Sequence, residues 1–127
     1  MAKSSAIIFG LIFLILGLLG LFSSPIVGPT GYFVSNSGLD IVNLLVGLIL
    51  LWVGSKNAEK APSTLKGLGV LFTVIAIIGF FVINVATNTG SILGFMTVNS
   101  AGNWLNLILG VLMFLLGLGK SSDTMPA

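Results

Sequence analysis

Cysteine and histidine are missing from this chain, and only 6% of its 127 residues are charged. Without cysteine there are no disulfides, thiolate metal sites or cysteine nucleophiles. Without histidine the side chain that most often serves as general base or metal ligand near neutral pH is gone. A soluble domain carries about a quarter charged residues. This one is instead 56% apolar, with 17 glycines and a net charge of +2. The composition is that of a membrane protein. It leaves almost no acid–base pair for catalysis, so the chain is read as a non-enzyme with no catalytic residues, no cofactor and no metal.

Four apolar stretches account for the bias, roughly 5–22, 39–53, 65–83 and 104–119. A span needs about 20 residues, with a range of about 17 to 25, so the first and third qualify directly. The second and fourth reach that length if helix begins near Asn36-Ser37 and Asn99-Ser100, or if the bilayer thins. The run behind Lys3 is longer than the h-region of about 7 to 15 residues in a signal peptide, so it is read as a retained span.

The chain also repeats itself, which fixes architecture before any other feature. Asn36-Ser37, Asn43-Leu44, Gly47 and Gly54 recur 63 positions later as Asn99-Ser100, Asn106-Leu107, Gly110 and Gly117. Gly10, Phe13, Gly20 and Phe22 recur 59 positions later as Gly69, Phe72, Gly79 and Phe81, so the second copy gains four residues between its helices. Each copy is an out-and-back helical pair, and two such pairs are parallel, related by a pseudo-twofold along the membrane normal. This differs from inverted transporter repeats. The expected fold is an all-α membrane protein: four transmembrane helices as two tandem parallel helical-hairpin repeats in a left-handed bundle. Its units are repeat one at 5–54, a cytoplasmic loop at 55–66, repeat two at 65–119 and a disordered tail at 121–127, all within one domain, 1–127.

Basic residues set the orientation. Lys3, Lys56, Lys60, Lys66 and Lys120 flank or separate the hairpins, and the two long connections have none. By the positive-inside rule both termini and the central loop are cytoplasmic. The positive charge is topogenic, and no nucleic-acid partner is expected. Pro62 is expected to stop the second helix, with Ser63 or Thr64 capping the third. Ser63-Thr64-Leu65-Lys66 matches an S-x-x-K string, but without partner motifs it is read as a cap followed by a topogenic lysine.

The outward connections are apolar, with Pro25, Ile26, Val27, Tyr32 and Phe33 in one and Ile92, Leu93, Phe95 and Met96 in the other. Irregular backbone does not sit exposed in lipid, so they are expected to pack over the helix ends. Gly31-Tyr32-Phe33-Val34 and Gly94-Phe95-Met96-Thr97 have the composition for a short β-hairpin or a small sheet shared across the twofold.

Glycine costs a helix about 1 kcal/mol relative to alanine, and in membranes it is retained where backbones approach closely. Gly10/Gly17, Gly47/Gly54 and Gly110/Gly117 are each seven apart, which marks one stripe per helix and left-handed packing. Asp40, Asn43 and Gly47 share a face with Gly54, and Asn103, Asn106 and Gly110 share one with Gly117. Carboxamides facing lipid are costly, so these faces look inward and the hairpins are expected to meet along them. Asp40 is read as the N-cap of span two. Asn43 and Asn106 are read as interhelical glue, with a sharper alternative in which the two amides line a polar site. Trp52 and Trp104 suit the interfacial belts. The candidate polar and packing site is therefore Asp40, Asn43, Asn103, Asn106, Gly47 and Gly110.

Asn99-Ser100-Ala101-Gly102-Asn103-Trp104-Leu105-Asn106, followed by Gly110 and Gly117, resembles the last-span signature of the small bacterial membrane proteins grouped as domain of unknown function 4383. That resemblance implies a four-span fold in a bacterial inner (cytoplasmic) membrane and supplies no activity. Gly102 stands where the family pattern has Asp, and Asn43 and Asn106 stand where it has His. An amide keeps a histidine's hydrogen bond but not its proton transfer or its capacity as a metal or pigment ligand. The functional expectation is a non-catalytic structural or assembly subunit, or a homo-oligomer, packing through Gly/Asn faces and apolar outward loops, its partners being membrane lipids and a larger membrane complex. The alternative is a small channel or a lipid- or solute-handling module with an Asn43/Asn106-lined path.

Overall fold

The computed structural model describes residues 2–119; the tail 121–127 lies outside the described residues. The protein is mostly helical. Its helices are α1 (Ala2–Leu21), α2 (Ser37–Lys56), α3 (Ala61–Val82) and α4 (Ser100–Gly117), of 20, 20, 22 and 18 residues. All four are long and apolar enough to cross a membrane. The connection from α1 to α2 carries β1 (Val27–Gly28) and β2 (Phe33–Val34), and that from α3 to α4 carries β3 (Thr89–Ile92) and β4 (Met96–Asn99).

The short spans gain their length as expected, from Asn36 and Asn99. Each holds extended backbone, at φ −133°, ψ 179° and φ −138°, ψ 177°, and its side-chain oxygen accepts from the third residue on. The donors are Leu39 N–H at 3.1 Å and Gly102 N–H at 2.9 Å. Asp40 is therefore not the cap. It lies four residues beyond the cap, in the first turn of α2.

At the lysine end the segment expected as a loop at 55–66 is almost entirely helical. α2 runs to Lys56 and is capped by Asn57, and a 3-10 turn at Ala58–Lys60 leads directly into α3. Pro62 does not stop α2; it occupies the first turn of α3, where its missing N–H has no intrahelical acceptor to lose. Ser63 is not a cap either, since its hydroxyl donates back to Lys60 O at 3.2 Å.

Within each pair the helices touch backbone to backbone at the glycines. A Cβ on Gly47 would lie 2.6 Å from Leu14 N and 2.8 Å from Gly10 O. One on Gly110 would lie 2.7 Å from Thr73 N and 2.9 Å from Gly69 O, the same contact 59 and 63 residues on. Gly54 abuts Lys3 O and Gly117 abuts Pro62 O in the same manner. The glycine stripes thus join α1 to α2 and α3 to α4, and the expectation that the two hairpins meet along them is corrected. Both arrangements bury a stripe of small residues, so periodicity alone does not distinguish them. The glycines are buried inside each hairpin and are not available to a second copy.

The hairpins meet instead through larger side chains. Phe13 and Phe72, at the 59-residue offset, have ring centroids 4.7 Å apart. Both are fully buried, as are Leu50, Leu65 and Met113 around them. α1 and α3 supply the two rings, α2 also touches α3, and α1 also touches α4. The opposite helix surfaces expose apolar residues such as Ile8, Leu45, Val74 and Ile108.

Candidate functional site

Polar side chains gather at one place, the end of the bundle where both long connections cross the helix N-termini. Asn36 and Asn99 each do two jobs there. Besides capping α2, Asn36 accepts from Thr97 N–H at 3.1 Å and donates through Nδ2 to Phe95 O at 2.9 Å. Besides capping α4, Asn99 accepts from Val34 N–H at 3.2 Å and donates to Tyr32 O at 3.0 Å. Each asparagine therefore holds the other hairpin's connection. Asn36 and Asn99 thus tie each helix start to the opposite connection, a role not expected of them from the sequence. Their place at the head of the repeated sequence was the available signal, because a residue that both caps and reaches across leaves little freedom for substitution.

The two connections do not share a sheet. β1 and β2 form a two-residue parallel pair, and β3 and β4 an antiparallel hairpin with Thr89 opposite Asn99 and Ile92 opposite Met96. The four additional residues of the second connection give it the length for that hairpin. Val27, Ile92 and Val98 pack down on the helices as expected. Other apolar residues there do not. Tyr32, Val85, Leu93 and Phe95 are exposed, Leu93 at 97%. Leu93 also has φ +56°, followed by Gly94 at φ +70°. Leucine is an outlier in that region. An apolar groove of ≈ 260 Å³ lies beside this surface, between Tyr32, Phe33 and Trp104.

Of the expected site residues, Asp40 and Asn103 stand at equivalent positions, 63 apart, and make equivalent contacts. The Asp40 carboxyl fills the space a Cβ on Gly20 would need, and the Asn103 amide does the same at Gly79. Asp40 is 2% and Asn103 0% exposed. Asp40 Oδ1 and both polar atoms of Asn103 have no hydrogen-bond partner among the described residues. The Ser35 hydroxyl lies beside Asp40 but outside hydrogen-bonding geometry. Against a glycine Cα the contact available to these oxygens is the weak Cα–H···O kind found at close helix crossings.

Asn43 and Asn106 stand at equivalent positions, 63 apart, on α2 and α4. Both line a cavity of ≈ 20 Å³ with Ser35, Leu16, Leu39 and Leu105. Gly47 and Gly110 lie one turn further down, in separate hairpin interfaces. The six candidates thus divide into two glycine contacts, two side chains seated on glycines and one amide pair lining the cavity. Below the amides the bundle closes on Phe13 and Phe72. Among the described residues no three acidic, histidine or cysteine side chains gather as metal ligands would.

Comparison with curated proteins and with solved structures returned no match. The family model described as Domain of unknown function (DUF4383) matches residues 3–119, nearly the whole chain and all four helices, and the chain belongs to that family.

Proposed function

We propose that the protein is a non-catalytic subunit of the bacterial cytoplasmic membrane, with both termini cytoplasmic, that docks a neighbouring membrane polypeptide through its apolar outward connections. In this proposal two tandem repeats form a left-handed scaffold, and the asparagine exchange holds the docking surface above it. The carrying observation is Leu93, an exposed leucine at the turn of β3–β4 with a left-handed backbone. That conformation costs about 1–2 kcal/mol in a residue other than glycine. Asparagine or glycine would fit the turn better. Among the described residues nothing covers the Leu93 side chain to offset the cost, which favours an external contact. Phe22, Phe81, Tyr32 and Val85, all strongly exposed, extend the same apolar end.

The path lined by Asn43 and Asn106 has less support. A conduit through one protomer would have to pass Phe13 and Phe72, which close the centre of the bundle. The discriminating experiment compares wild type with Leu93→Asn after mild detergent extraction from the native membrane. Wild type is expected in a species heavier than the protomer, and Leu93→Asn as the free protomer with an unchanged or higher melting temperature. A wild-type protein that is strictly monomeric with nothing copurifying contradicts docking.

A further inference from the structure

We infer that the cavity between Asn43 and Asn106 is a binding site for one ordered water, which joins the two hairpins where their side chains do not meet directly. The cavity exists because the repeat is broken at two positions. Gly102 stands where the first copy has Leu39, and a Cβ there would find only Asn99 Oδ1 at 3.1 Å and Val34 O at 3.9 Å, so the space a leucine would fill is open. Ser35 stands where the second copy has Val98, which is 1% exposed and packed in the core. One copy thus loses a side chain and the other gains a hydroxyl, both at the seam.

The lining fits water in size and in chemistry. A volume of ≈ 20 Å³ holds about one molecule. Ser35 Oγ and Asn43 Oδ1 are buried and have no partner among the described residues, so each can accept one of the water's protons. Asn106, which lines the cavity from α4, has an amide N–H to offer the water's oxygen. Three hydrogen bonds to otherwise unsatisfied groups are typical of buried water. A lipid headgroup or an organic amine is too large.

The sequence contains no glutamine, so every side-chain amide signal in a nitrogen-15 spectrum belongs to asparagine. Water-edited magic-angle-spinning NMR in deuterated lipid bilayers reads which of them touch water. Asn103 is an internal control, since its amide is fully buried and is not part of the cavity lining. The expected result is transfer from water to the Asn43 and Asn106 amides and none to Asn103. In Ser35→Val, which copies the second repeat, the transfer should be lost while the Asn36 and Asn99 amide shifts stay in place. Dry Asn43 and Asn106 amides in the wild type, or three equally wet ones, overturn the site. If Ser35→Val does not fold, the wild-type contrast with Asn103 decides alone.

Discussion

Asn36 and Asn99 make the same hydrogen bonds in opposite directions across the bundle: each caps its own helix and clasps the connection above the other hairpin. Losing either cap costs about 1 kcal/mol. Each lost cross-hairpin bond adds about 0.5–1.5 kcal/mol. Asn36→Ala and Asn99→Ala should therefore each destabilise the protein by about 2–4 kcal/mol, summing those terms. Asn36→Asp keeps the cap and the Thr97 contact but loses the donor to Phe95 O, so it should cost less. Unfolding titrations in mixed detergent micelles measure both, and equal costs for Ala and Asp would show that the reach across the seam carries no stability.

Glycine substitutions should separate by contact. Alanine at Gly47 or Gly110 places a Cβ against the backbone of the facing helix, and overpacking of that kind costs about 1–3 kcal/mol. Gly67 has open space around its Cβ position, so Gly67→Ala should be stabilising by up to about 1 kcal/mol through helix propensity. Thermal melting of the three variants checks the order. A neutral Gly47→Ala would contradict backbone contact within the first hairpin.

Asp40 occupies the seat that Asn103 occupies in the second copy. Asn103 fills the equivalent seat as a neutral amide, so Asp40→Asn should change stability by no more than about 1 kcal/mol. Gly20→Ala and Gly79→Ala, which push a methyl group into the carboxyl and the amide, should cost about 1–3 kcal/mol each. A severe loss in Asp40→Asn with a mild one in Gly20→Ala would instead give the negative charge a role beyond packing.

The helices, the asparagine starts and the glycine stripes were legible in the sequence because each depends on local chemistry repeated at a fixed offset. Asp40 was misread as a cap because Asn36 and Asp40 both have capping side chains, and only the extended backbone at Asn36 decides between them. The partner of each glycine stripe was not legible, since packing within a hairpin and packing between hairpins bury the same face. The clasp was hidden for another reason. Its acceptors and donors, Phe95 O and Thr97 N–H, are backbone groups whose position depends on a connection about 60 residues away in sequence. Ser35 and Gly102 stand out only where the two copies are compared with the packing known, because their effect is a space rather than a contact.

Reconstituted protein should conduct no more than empty vesicles. Below the Asn43 and Asn106 amides the core closes on Phe13, Phe72, Leu50 and Met113, all fully buried. Proteoliposome flux assays of wild type and of Asn43→Leu with Asn106→Leu should both read background. Flux in the wild type that the double variant abolishes would restore the polar path.

Docking through the outward turn is tested most directly by placing a photo-crosslinking residue at Leu93 and, as a lipid-facing control, at Ile8, then irradiating native membranes. Position 93 should yield a discrete protein adduct and position 8 only lipid adducts. Lipid adducts alone at position 93 would contradict docking.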